Sequence, residues 1–217
     1  GGADIPLPGA LASATGLPLD PQLLEKVVYE LRDGYLAKGY TDVAVAYQQT
    51  EAAPKQVDIA ITVTPGKAST VTAVAFKGNK KVAAAALDKT AAIAKGSPYS
   101  DDAIDRAMLA LQTYYYDHGF VNVIIMPPKP AGGPGPATFE ITEGDQFRVG
   151  AVTLTGIDDA KKYLAMLPLK KGDVFSRAAI QTGIEKIQTA LQKRVEPVTH
   201  VDAAKHTIDL DLQVPKT

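Results

Sequence analysis

The chain has 217 residues, 46% of them hydrophobic, with 23 basic and 24 acidic side chains and a formal net charge of −1. That composition excludes a disordered chain, and the missing basic excess argues against a nucleic-acid binder or a polybasic membrane-surface binder. The absence of cysteine removes disulfides, thiolate zinc sites and thiol nucleophiles together, and no apolar run reaches the roughly 18 residues that cross a bilayer as a helix.

The opening Gly1-Gly2-Ala3 reads as an artificial addition or a cut within a longer chain, which allows a mature fragment of an exported protein without showing one. Asp4 to Leu7 is the remnant of a first strand. Gly16 then opens a turn, and Leu24, Val28, Leu31 and Tyr35 form one helical stripe. Asp20 stands before it as an N-cap, and Pro21 suits the first turn. Lys38-Gly39-Tyr40 ends the helix, because glycine takes the left-handed conformation that stops one. Val43, Val45 and Tyr47 alternate as a strand, and Val57, Ile59, Ile61 and Val63 as another. Clean alternation describes a sheet with one face in water, the antiparallel habit.

The same order then recurs, and repetition is the strongest signal in the chain. Thr64-Pro65-Gly66 leads into a strand at Val71 to Gly78, and an Ala-rich helix follows over about Val82 to Ala94. Ser100 caps a second amphipathic helix, whose stripe of Ile104, Met108, Leu111 and Tyr115 lies 80 positions after the first. Ile104, Met108, Leu111, Phe76 and Ile141 are expected to share one core. His118-Gly119-Phe120 ends that helix, and Val121, Val123 and Ile125 alternate next. Pro127 to Pro136 reads as a mobile loop before the strand of Phe139 and Ile141. Thr142-Glu143-Gly144 leads into a strand at Val149 to Gly156, 78 positions after its counterpart. A short helix near Tyr163 to Leu167, a Ser176-capped helix carrying Ile180, Ile184, Ile187 and Leu191, and an alternating strand from Ile208 to Val214 complete a third copy. This copy departs from the pattern at its helix exit, where Val195 stands in place of Gly119, and its next strand falls near Pro197 to Val201. The order per copy is β-α-α-β-β, an α+β unit of one sheet covered by two helices. The modules are 1–67, 68–146 and 147–217, the first without a full first strand.

Chemistry is hard to find. His118, His200 and His206 have no second metal ligand at a binding spacing, and no phosphate loop or nucleophile elbow is present. Asp101-Asp102 favours a helix N-terminus, and neither that pair nor Asp158-Asp159 can face itself on a helix. Tyr114, Tyr115 and Tyr116 cannot all enter a core. Their plain reading is a cluster at a helix end, and the functional one is an exposed contact aromatic. No catalytic, cofactor or metal site is expected.

The strand–Gly–Asn of Val74 to Asn79, the loop from Lys171-Gly172 to Ser176, the Gly-aromatic helix exits and the Glu-Gly turn before a Val-rich strand resemble POTRA domains. These are periplasmic modules of the Omp85 family of outer-membrane assembly proteins. The resemblance implies tandem POTRA-like modules with three-stranded mixed sheets. The first strand joins the last, which leaves the strand after each Gly-aromatic exit at an edge. It further implies an arm on the periplasmic face of the outer membrane of a Gram-negative bacterium. Such an arm binds unfolded outer-membrane β-barrel proteins, and assembly-machinery lipoproteins or other partner subunits, by strand addition. The candidate binding edge is Val43, Val45, Tyr47, Val121, Val123 and Ile125. A proline at Val123 should weaken binding if that amide faces outward. The family's C-terminal membrane barrel would lie beyond Thr217. The alternative is the arm of a TamA, two-partner secretion or chloroplast import channel, acting as spacer and docking scaffold. The short junctions Thr64 to Ala68 and Glu143 to Gln146 favour stiffness. No cofactor and no nucleic acid is implied.

Overall fold

The computed structural model describes residue 5, residue 16 and residues 18–215. In chain order the elements are α1 (Pro21–Ala37), β1 (Ala44–Ala53), β2 (Gln56–Thr64), β3 (Val71–Lys77), α2 (Ala84–Ala91), α3 (Asp101–Asp117), β4 (Ile124–Met126), β5 (Gly135–Thr142), β6 (Arg148–Thr155), α4 (Ala160–Leu164), α5 (Arg177–Leu191), β7 (Glu196–Asp202) and β8 (Thr207–Gln213). The remnant strand expected at Asp4 to Leu7 lies, but for Ile5, outside the described residues.

The long helices start where a cap oxygen catches an orphan amide. Asp20 Oδ1 accepts the Gln22 N–H at 2.9 Å, Ser100 Oγ the Ala103 N–H at 3.2 Å and Ser176 Oγ the Ala179 N–H at 3.2 Å. The buried stripes are Leu24, Val27 and Leu31 on α1, and Ile104, Ala107, Leu111 and Tyr115 on α3. On α5 the stripe is Ile180, Gly183, Ile184 and Ile187. The helix phase is thus centred on i, i+3 and i+7, and Val28 and Met108 sit half-buried on the flank. Ala107 and Gly183 occupy core positions that a count of large apolar residues passes over.

β1 and β2 form a two-stranded antiparallel hairpin among the described residues, in register Val45↔Val63 and Tyr47↔Ile61. The second sheet has the order β3-β5-β4 and the third β6-β8-β7. In the third, β6 runs parallel to β8 while β7 is antiparallel to it. A wholly antiparallel sheet, which alternation alone suggests, does not form there. The two helices between β6 and β7 carry the chain across, so the first strand arrives parallel to the last. Phe147, Val149 and Leu154 from β6 and its approach, Ile180, Ile184 and Ile187 from α5, and Ile208, Leu210 and Leu212 from β8 make the third core. In the second repeat Ile104, Leu111 and Ile141 are buried as expected, whereas Phe76 is half-buried and stacks on Phe139 at 5.7 Å.

Three local expectations change. The Ala-rich helix begins only at Ala84, because the residues before it are held in a loop by Glu143. This carboxylate, 5% exposed, accepts the N–H groups of Lys80 at 3.0 Å, Lys81 at 2.7 Å and Val82 at 3.0 Å, and the Tyr115 hydroxyl at 3.1 Å. In the third repeat α5 ends at Leu191 and Gln192 takes the left-handed conformation (φ 52°) that glycine supplies elsewhere, which sends Val195 into the core. The Pro127 to Pro136 loop is tied at both ends. Buried Pro128 accepts a hydrogen bond from the Tyr99 hydroxyl, and the Gly135 N–H donates to Thr70 at 2.9 Å.

Backbone contacts divide the chain into two compact units. One holds Gly1–Lys77, Ala91–Met108 and Pro127–Phe139, the other Gly78–Thr90, Leu109–Met126 and Glu140–Thr217.

Candidate functional site

An edge strand offers every second N–H and C=O to a newcomer, and the neighbouring side chains decide what the newcomer must carry. β1 pairs only with β2, β4 only with β5, and β7 only with β8, so each has one side without a sheet partner among the described residues.

In the first repeat Val45 and Tyr47 lie on β1 with half-buried side chains, and Ala44 and Ala46 point to the wet face. Val43 precedes the strand and is buried. Between β1 and α1 runs a groove of ≈ 420 Å³ lined by Glu25, Val28, Tyr29, Arg32, Val43, Ala44, Val45 and Tyr47. Tyr29, 63% exposed, forms its outer rim. A strand added to β1 would place alternate side chains over this groove.

In the second repeat the edge is shorter than expected. β4 covers Ile124–Met126 only, so Ile125 alone of the three anticipated residues lies on it, opposite Ile141. Val123 is buried, and its N–H donates to Phe120 at 3.2 Å, so that amide closes a turn and is not an outward donor. Val121 packs against the third core. Both are therefore removed from the edge by contacts that no strand pattern reveals. Ile124 and Met126 are exposed on the outward face, beside Thr142 and Glu140 of β5, and Leu109 on α3 is 67% exposed. Of the tyrosine run, Tyr115 is buried, while half-buried Tyr114 stacks on His118 at 4.0 Å.

In the third repeat the expected strand is longer, Glu196–Asp202, and all but its last residue are exposed. Pro197 removes one donor from it. Polar groups stand beside exposed Val198 and Val201 on it. His200 stands opposite Asp209, Asp209 accepts the Ala151 N–H at 2.6 Å, and hydrogen bonds from Gln213 and then Thr153 hold the Asp211 carboxyl below the usual carboxylate range. The helix position equivalent to Leu109 is Glu185, which accepts a hydrogen bond from Gln181 at 3.1 Å.

Tyr29 and Leu109 escaped the sequence reading, although they are 80 positions apart and so equivalent. Aligning the exposed positions of the repeats, and not only the apolar stripes, would have found them. Among the described residues no group of three or more His, Cys, Asp or Glu is placed to hold a metal ion, and no helix is long and apolar enough to cross a membrane.

A family model described as surface antigen variable number repeat, POTRA, matches residues 8–66 and 69–144. A putative outer membrane protein assembly factor of Treponema pallidum is 25% identical over 206 residues, covering 85% of this chain and 24% of that protein. The outer membrane protein assembly factor BamA of Neisseria meningitidis is 22% identical over 184 residues, covering 77% of this chain and 23% of that protein. The chain thus spans about a quarter of each relative's length. Among solved structures, the POTRA3-5 fragment of Haemophilus influenzae BamA superposes with a TM-score of 0.57 at 16% identity, covering 89% of this chain and 80% of that one. BamA from Haemophilus ducreyi lacking POTRA domains 1-3 gives 0.58 at 10% identity, covering 68% and 29%. These likenesses show the fold.

Proposed function

Because this chain belongs to the POTRA family, we propose that it is the periplasmic protein-interaction arm of an Omp85-type outer-membrane protein assembly factor. It holds unfolded β-barrel clients, and partner subunits, by strand addition and carries out no chemistry of its own. The observation that carries the reading is the side of β1 without a sheet partner among the described residues, beside a groove rimmed by exposed Tyr29. Main-chain hydrogen bonds supply affinity that is indifferent to sequence, and the apolar groove favours strands with alternating apolar side chains. The two relatives, described as outer membrane protein assembly factors, support the assembly role. In this reading the arm is divided into modules near 67 and 146, which the matched stretches 8–66 and 69–144 support.

A second reading, a spacer and docking scaffold in another Omp85 branch, is favoured by one observation: backbone hydrogen bonds tie Ser69 to Gly39 and Phe147 to Gly119 across the short junctions.

The test is peptide titration followed by amide shifts. Peptides from outer-membrane β-strands should move the resonances of 44–47 and 124–126. Neighbouring residues of an edge strand point their amides in opposite directions. Of Val45→Pro and Ala46→Pro, one should therefore abolish binding to β1 with folding kept, and the other should damage the hairpin. If the peptides move resonances elsewhere and leave both segments still, strand addition is wrong and the spacer reading stands.

A further inference from the structure

The groove beside β1 holds one charge of each sign, and neither is neutralised. Glu25 and Arg32 of α1 both line it, with Val28 and Tyr29 between them on the helix. Both charged side chains are exposed, and among the described residues neither has a hydrogen-bond or ion-pair partner. Lys26 and Glu30 of the same helix pair with each other at 3.6 Å, and Asp33 lines a separate cavity. The groove and its charges lie within one compact unit.

The other repeats have no such pair. Glu25 and Arg32 correspond to Asp105 and Gln112 80 positions on, and to Gln181 and Gln188 76 positions further. The three amides are already engaged. Gln112 donates to the Tyr116 hydroxyl at 2.9 Å, Gln181 to Glu185 at 3.1 Å and Gln188 to the Val195 carbonyl at 3.1 Å.

We propose that the first repeat reads the charge order of the strand it accepts. It selects a basic, an apolar and an acidic residue at successive groove-facing positions, and it holds the strand antiparallel to β1. This rests on the reading of β1 as a strand-addition edge and names which strands that edge prefers. Positions 25 and 32 lie about 10 Å apart along the helix axis. Groove-facing residues of an added strand recur at every second position, so the outer two of three successive ones lie about 14 Å apart. Long charged side chains lean inward to close the difference, and the apolar residue between them meets Val28 and Tyr29. Residues 38–43 turn the chain back after α1, so β1 runs against the helix, with Val43 toward Arg32 and Tyr47 toward Glu25. A strand antiparallel to β1 therefore enters beside Glu25 and leaves beside Arg32, and its basic residue comes first. Antiparallel pairing is also slightly the more stable per residue. The opposite charge order sets like charges against each other at both ends.

The test compares two peptides of one composition, acetylated and amidated so that their termini carry no charge. They are Val-Thr-Lys-Thr-Val-Thr-Glu-Thr-Val and its charge-reversed partner Val-Thr-Glu-Thr-Val-Thr-Lys-Thr-Val. Titration followed on the amide resonances of 44–47 should show the first binding about fivefold or more tighter at low ionic strength. The difference should vanish near 1 M salt, where the screening length is about 3 Å. Glu25→Arg combined with Arg32→Glu should invert the preference. Equal affinities at low salt, or a preference for the second peptide, would overturn the proposal and leave strand addition at β1 intact. If neither peptide moves 44–47, strand addition at β1 fails and the proposal fails with it. The comparison on the parent chain depends on no variant.

Discussion

Glu143→Ala should destabilise the second repeat by about 3–5 kcal/mol, because it strands several groups at once. The carboxylate is the acceptor for three successive backbone N–H groups and for the Tyr115 hydroxyl. Each charged hydrogen bond of this kind contributes about 1.5–3 kcal/mol, and each buried donor left unmade costs about 1–3 kcal/mol, partly relieved by entering water. Urea denaturation followed on the resonances of Tyr115 and Ile141 reads the second repeat by itself. A loss under about 1 kcal/mol would mean that water replaces the carboxylate without cost. The same contact has an alkaline signature. Burial first, and then the Glu143 charge, push the Tyr115 phenol well above its ordinary value. In the unfolded chain that phenol ionises near pH 10, while in the fold it stays neutral. Its contribution is therefore intact below about pH 10 and is lost as pH rises further. Tyr115→Phe should be less stable at neutral pH and should show a flatter alkaline limb. An unchanged limb would place the titration elsewhere.

Leu111→Ala should cost about 2–5 kcal/mol, the range for a fully buried leucine whose cavity collapses only in part. Leu111 is 0% exposed, whereas Leu109 on the same helix is 67% exposed. Leu109→Ala should accordingly stay within about 0.5 kcal/mol of the parent. Thermal and urea unfolding of the pair tests the phase of α3 directly, since a comparable loss in both would require a different buried face.

The capped helices were legible because their causes are local. Asp20, Ser100 and Ser176 each act on an amide two or three residues away, and a stripe is visible within a single helix. The mixed topology was not legible in periodicity; it came from the likeness of the Gly-aromatic exits and Glu-Gly turn to a family. What stayed hidden depends on distant partners. Glu143 grips amides 61–63 positions away, and nothing near it in sequence says so. Val121 and Val123 continue the alternation into Ile125, yet the first belongs to the third core and the second closes a turn. The strand expected near Pro197 to Val201 is present as Glu196–Asp202, but its register is imposed by β8. Half of the candidate edge was therefore misplaced by one to three residues, although the edge positions themselves follow from the topology.

The ladders at Gly39 and Gly119 consist of main-chain donors and acceptors, and these are the same for every residue but proline. A repeat copied into the chain at such a point meets the carbonyl it needs as soon as a glycine ends the helix before it. No matching pair of side chains has to arise at the same time, as it would at a joint made of complementary surfaces. Gene duplication and deletion can then lengthen or shorten the array in whole steps, and the side chains around each ladder can change later. A lineage can in this way vary its copy number first and tune its mechanics afterwards.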